Sequence, residues 1–217
     1  MYGGHKDYRY LHNIHVLDTE RWHWSSPKCD GPPPSARAGH SCTYIGANRL
    51  LVFGGSNGWD SYNDVHVLSS NDRGSGWTWE KVAATGELPR ARARHTALAL
   101  AEGRLVLIRG GSVSVENAVD GGKEAVFFDD AFILDTLHWA WTRVEDAAGG
   151  GYSSVAYSKT FLEADHTQSA ICSPRSGEAV ASVSTGEGKT YLAYFGGSIG
   201  AGKIDSSLYC VPAAHFL

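Results

Sequence analysis

Methionine occurs once in these 217 residues, cysteine four times and proline seven times, and a small surplus of acidic over basic side chains leaves a formal charge of −4. Each scarcity excludes something. No run of about 18 uncharged apolar residues is present, so a membrane-spanning helix is not expected. The opening Met1-Tyr2-Gly3-Gly4-His5-Lys6-Asp7 has no apolar core of signal-peptide length. Cys29, Cys42, Cys172 and Cys210 lie far apart, with no Cys-x-x-Cys pair from which a zinc knuckle or redox motif is read. Free thiols in a reducing compartment are the simplest expectation. A pI near 6.2 lacks the basic footprint that phosphate-backbone binding needs. The expected setting is cytoplasmic or nuclear, with no nucleic acid and no membrane as partner. With 42% hydrophobic and 19% charged residues, the composition is that of a folded chain.

What is abundant is glycine, 26 residues, and tryptophan, seven, a composition that favours short strands and tight turns over long helices. Internal repeats are therefore sought first. Four Gly-Gly pairs, Gly3-Gly4, Gly54-Gly55, Gly110-Gly111 and Gly196-Gly197, are spaced by 51, 56 and 86 residues. β-prone runs such as Leu50-Leu51-Val52-Phe53 lead into them. After each pair comes a loop and a second β-like run, as in Asn13-Ile14-His15-Val16-Leu17 and Asp64-Val65-His66-Val67-Leu68. Next come tryptophan doublets, Trp22/Trp24, Trp77/Trp79 and Trp139/Trp141. Their spacing of two predicts both rings of a doublet on one strand face, within the core. Finally Pro34-x-x-Arg37-x-x-His40 recurs as Pro89-x-x-Arg92-x-x-His95, each proline ten residues beyond the second tryptophan of its doublet.

In this order and at these offsets the residues resemble the kelch repeat over nearly the whole chain. The resemblance implies an all-β, kelch-type β-propeller. Its repeat of about 50 residues is one four-stranded antiparallel blade, which cannot bury its faces alone and stacks radially on its neighbours. In the family scheme the Arg-x-x-His motif leads strand one and Gly-Gly ends strand two. The eight paired glycines are read as structural, because glycine reaches positive φ and allows close chain approach. No Gly-x-Gly-x-x-Gly or Gly-Lys-Ser/Thr context suggests phosphate binding. Arg37, His40, Arg92 and His95 are likewise structural, with the arginines expected to tie one blade to its neighbour through charge-assisted hydrogen bonds.

On this scheme the chain begins inside strand two and ends after strand three. That gives about 13 or 14 strands, roughly three to four four-stranded antiparallel blades, fewer than the 4 to 8 that usually close a propeller. The propeller is expected to be incomplete: a fragment, or one completed by a further chain. The whole of 1–217 is read as a single domain with insertions at about 112–127 and 145–178. In the third repeat the leading motif is lost, since Gly151, Ser154 and Tyr157 stand where proline, arginine and histidine would fall. Antiparallel topology puts the loop between strands two and three on the same side as the loop between blades, so both insertions decorate one face. Insertions in repeat proteins usually mark the binding face.

Ten histidines invite a metal hypothesis, but His12 and His15, three apart on a strand, point to opposite faces; neither a metal nor a cofactor is expected. Arg90, Arg92 and Arg94 would stand on one side of an extended segment. The adjacent acidic pair Asp129-Asp130 is read as a strand entry. No Gly-x-Ser-x-Gly or His-Glu-x-x-His is found, so no catalytic residue is assigned. Trp59 lies in the loop Ser56-Asn57-Gly58-Trp59-Asp60, where an exposed tryptophan is a natural interface anchor. The expected function is a non-catalytic scaffold or adaptor that binds a protein partner through loops on one face, with Trp59, Asn57, Asp60, Arg90 and Arg94 as contact candidates. The competing reading is an enzyme with its site at the channel mouth, since some kelch-like propellers carry oxidase, sugar-isomerase or specifier activity.

Overall fold

A computed structural model describes residues 1–71, 76–116, 123–144, 176–186, 189–200, 203–204 and 208–216. These residues form an incomplete β-propeller in which two full blades stand between two partial ones. Tyr2–Lys6 (β1) and Arg9–Ile14 (β2) make a hairpin, and Val16–Asp18 (β3) pairs with His23–Ser25 (β4) to give the first, partial blade. The short Cys29–Asp30 (β5) then crosses to the second blade, formed by Ser41–Tyr44 (β6), Arg49–Phe53 (β7), Val65–Ser69 (β8) and Trp77–Val82 (β9). β5 lies parallel to β9, so the crossover becomes a fifth, outermost strand.

The pattern repeats in the third blade. Thr85–Gly86 (β10) is the parallel outer strand, and Thr96–Leu100 (β11) and Leu105–Arg109 (β12) follow. After β12 the chain rises into a second hairpin, Ser112–Glu116 (β13) with Lys123–Phe127 (β14). It returns as Ala131–Asp135 (β15) and Ala140–Arg143 (β16). The fourth blade holds Ala179–Ser184 (β17), Thr190–Phe195 (β18) and Leu208–Pro212 (β21), with Ser198–Gly200 (β19) and Lys203–Ile204 (β20) as its raised hairpin.

A blade between two others buries both faces, which is why its strands read as continuous apolar runs rather than as alternating ones. Leu51 and Phe53 of β7 pack with Val106, Ile108 and Trp141 in the core between the second and third blades. Their chain neighbour Val52 points the other way, into the core formed with Tyr2, Ile14, Leu68 and Trp79. Leu107 and Leu192 join the third blade to the fourth.

The tryptophan doublets divide by position. Trp79 and Trp141 are buried and Trp77 and Trp139 pack beside them, but Trp22 and Trp24 are 76% and 49% exposed. The expectation of core placement fails for this first doublet, because its partial blade has nothing described on its outer side. Trp22 and Trp139 also have positive φ and sit in the turn before the strand, so spacing of two does not keep each pair in one regular strand.

Candidate functional site

The Gly-Gly pairs fix where each blade's second strand ends and its loop begins. All eight glycines have positive φ, for example +65° and +95° at Gly54 and Gly55. A Cβ on Gly54 would lie 2.7 Å from the Arg92 carbonyl, and one on Gly55 would lie 2.9 Å from the His40 Cβ. At this point successive blades are laced together. Gly4 and Gly55 donate through their amides to the carbonyls of Arg37 and Arg92, both at 2.8 Å, and the Arg37 and Arg92 amides donate back to Leu11 and Tyr62, both at 3.0 Å.

The guanidinium groups work inside their own blades, correcting the expectation that they bridge neighbours. Arg37 is fully buried, pairs through both terminal nitrogens with the Asp64 carboxylate, and donates to the Gly54 carbonyl at 3.0 Å. Arg92 is equally buried and treats Asp130 and the Gly110 carbonyl in the same way. Asp130, read only as a strand entry, is thus half of a buried ion pair. Arg37 stacks over Tyr62 and Arg92 over Phe128. Burial raises the Asp64 pKa, but hydrogen bonds from His66 and Arg37 and the Arg37 charge outweigh it and hold the carboxyl well below the usual range. Arg90, Arg92 and Arg94 do not form one cationic stripe, as expected from sequence. Arg92 is buried, whereas Arg90 and Arg94 are exposed, and Arg94 takes a φ of +56°.

The next position in the motif seals each blade to the blade before it. The His40 ring meets Tyr2 at 5.3 Å between centroids, and His95 meets Phe53 at 5.2 Å. Burial and then the Arg92 and His40 charges push the His95 pKa down to about 3, so it is a neutral ring at ordinary pH. Its Nε2 lies 2.8 Å from the Ser41 hydroxyl.

Sequence spacing placed the third motif at 151–157, and 145–175 lies outside the described residues. Ser176 nevertheless bridges Ser198 as Ala38 bridges Ser56 and Ala93 bridges Ser112. Residues 176–178 therefore belong to the repeat, not to the insertion. Gly177 donates to Arg94 at 2.7 Å just as Arg94 donates to Gly39. That register puts Glu178 where His40 and His95 stand, and Arg109 where Tyr2 and Phe53 stand. The motif is displaced and altered rather than lost. Arg109 donates to Glu178 at 2.8 Å, with side chains 3% and 2% exposed, so an ion pair replaces the ring contact at this junction.

Beyond the glycines, the raised loops of successive blades touch one another in sequence. Tyr10 of β2 lies against the 56–61 loop so closely that a Cβ on Gly58 would meet its hydroxyl at 2.8 Å. From the other side Lys123 of β14 donates to the Gly58 carbonyl at 2.9 Å and holds its ammonium 4.5 Å from the Trp59 ring centre, within cation–π range. β14 in turn lies against β19. Four loops thus make one continuous rim.

Within the rim, Asn57 accepts from the amides of Trp59 and Asp60 at 2.9 and 2.7 Å and donates to the Asp60 carboxylate at 3.2 Å. Asn57 and Asp60 hold the loop, and Trp59 stands out at 85% exposed, with Tyr8 at 97% on the neighbouring hairpin. Tyr8, Tyr10 and Lys123 were not singled out from sequence, although aligning the hairpins after each Gly-Gly would have brought them beside Trp59. Among the described residues no group of three or more histidine, cysteine or acidic side chains is placed to hold a metal, and no helix is long and apolar enough to cross a membrane.

A family model described as the KLHDC2/KLHL20/DRC7 Kelch-repeats domain matches residues 1–165. Acyl-CoA-binding domain-containing protein 5 of Arabidopsis thaliana is 36% identical over 143 residues, covering 65% of this chain and 20% of that protein. Kelch domain-containing protein 2 of Bos taurus is 36% identical over 98 residues, 45% of this chain and 23% of that protein. Host cell factor 1 of Homo sapiens is 31% identical over 155 residues, 64% of this chain and 7% of that protein. The chain spans less than a quarter of the length of each of these three relatives.

Proposed function

The chain belongs to the kelch-repeat family, and from that premise we propose that it is a non-catalytic protein-interaction module, a scaffold or adaptor, whose partner docks on the loop rim around Trp59. The observation that carries this reading is the exposure of Trp59 on a loop that is already rigid. Asn57 fixes the loop from within, and Tyr10 and Lys123 fix it from the two neighbouring blades. A rigid exposed tryptophan loses little freedom on binding, and pre-organisation of this kind lowers the cost of association. Tyr8 extends the aromatic surface on the neighbouring hairpin, and Arg90 and Arg94, both exposed, are the cationic contact candidates. The opposite face offers tight turns, in which Trp22 and Leu137 are exposed.

The test is the affinity of a protein partner isolated on the immobilised chain, measured by calorimetry. Trp59→Ala is expected to weaken it by about 2 kcal/mol or more, roughly thirtyfold, as for an interface anchor, whereas Leu137→Ala changes it less than about twofold. Equal losses from both substitutions would remove the rim from the account.

A further inference from the structure

We propose that Arg94 sets the chemistry of the partner: its guanidinium, at the loop end of the propeller axis, receives an aspartate or glutamate side chain of the protein that docks around Trp59. The inference rests on the rim reading above and adds the charge that the partner must bring.

The innermost strands β6, β11 and β17 lie side by side, and Gly39, Arg94 and Gly177 hold equivalent places just ahead of them. Each follows the residue that bridges to its own blade's loop, Ala38 to Ser56, Ala93 to Ser112 and Ser176 to Ser198. Backbone bonds run from one to the next: the Arg94 amide donates to the Gly39 carbonyl and the Gly177 amide to the Arg94 carbonyl, both at 2.7 Å. The three residues thus form an arc around the axis, with a described repeat on either side of Arg94. The arc adjoins the foot of the Trp59 loop, because Ala38, next to Gly39, exchanges both backbone bonds with Ser56 at 2.9 Å.

All three positions have positive φ, +66°, +56° and +73°. L side chains are disfavoured in this region and glycine is at ease, and glycine is what the two flanking repeats carry there. Arginine at the middle position therefore holds strain that glycine would not, and a strained residue on a binding face points to a function for its side chain. Gly39 makes room for it: a Cβ at that position would lie 3.3 Å from the Arg94 Cγ, so the arginine stem lies against the glycine of the neighbouring blade. The Arg94 side chain is exposed. Unlike Arg37, Arg92 and Arg109, each paired with a carboxylate, it has no ion pair or side-chain hydrogen bond among the described residues. Its planar fork of donors matches a carboxylate in two parallel bonds. Covered by a docked partner, such a pair counts for more than one on an open surface.

The probe is a random peptide library displayed within a phage coat protein, so that only side chains offer carboxylates, selected on the immobilised full chain. Peptides whose binding requires Trp59 are expected to share an aspartate or glutamate at one position. Synthesised with amidated C-termini, they are expected to bind Arg94→Gln at least about tenfold more weakly than the starting chain, and selection on Arg94→Glu yields lysine or arginine at that position instead. Arg94→Gly relieves the positive φ and is expected to raise the melting temperature of the free chain by about 2–4 °C while removing the acidic preference. Trp59-dependent peptides with no shared acidic position, or with unchanged affinity for Arg94→Gln, overturn this inference and leave the rim reading standing. Peptides indifferent to Trp59→Ala overturn both. A melting temperature lowered by Arg94→Gly shows that the guanidinium is held within the chain itself and overturns the inference as well.

Discussion

Replacing Arg92 by methionine is expected to cost about 3–5 kcal/mol of stability, a large part of the 5–15 kcal/mol that holds a typical domain. The side chain is fully buried, and it satisfies both oxygens of Asp130, the Gly110 carbonyl and the Arg90 carbonyl while stacking on Phe128. Methionine fills much of the volume but leaves the Asp130 carboxylate with no countercharge in a side chain only 14% exposed. Most of the loss is thus the penalty of an orphaned charge rather than lost packing. Arg94→Met, two residues away and exposed, is expected to stay within about 0.5 kcal/mol. Asp130→Leu added to Arg92→Met should recover much of the loss, since both ends of the pair are then apolar. Urea unfolding of the three variants checks this, and an Arg92→Met cost no larger than that of Arg94→Met would contradict the buried-pair account.

The second large effect concerns the junction between the third and fourth blades. Arg109→Phe leaves Glu178 buried without its guanidinium, and Glu178→His sets an imidazole against Arg109, so each single change is expected to cost about 3–5 kcal/mol. The double variant Arg109→Phe/Glu178→His installs the ring pair already present as Phe53 and His95. It also leaves Tyr194, over which Arg109 now stacks, with an aromatic neighbour. Its expected stability lies within about 1.5 kcal/mol of the starting chain, so the two changes are strongly non-additive. A double variant as unstable as the sum of the singles would show that Glu178 and Arg109 are not the equivalents of the histidine and aromatic positions.

Blade order, the strand-two boundaries and the apolar runs were legible because each depends on short-range chemistry. At Gly54 and Gly55 positive φ coincides with a neighbouring chain that a Cβ would meet at 2.7 and 2.9 Å, and a strand packed on both faces needs an unbroken apolar run. The Arg109–Glu178 pair was not legible, since its members are 69 residues apart in sequence and the long insertion moved the motif away from its expected offset. Counting back from Gly196 by the 14 or 15 residues that separate His40 from Gly54 and His95 from Gly110 lands on 182 or 181, so that count misses Glu178 as well. The three arginines at 90–94 misled for a different reason. Alternation implies one face only when the backbone is a strand throughout, and Arg94 lies in the left-handed region. The exposure of Trp59 was expected from its place in a loop, whereas its clamp by Tyr10 and Lys123 comes from neighbouring blades and leaves no local trace.

The rim as a single binding surface is the central claim, and site-specific photo-crosslinking tests it most directly. A benzophenone side chain is placed at Tyr8, at Trp59, or at Asn48 and Leu137 in turns at the other end of the strands, and the chain is irradiated with its isolated partner. The account predicts covalent adducts from Tyr8 and Trp59 and none from Asn48 or Leu137. Adducts chiefly from Asn48 and Leu137 would place the partner on the opposite face and contradict it.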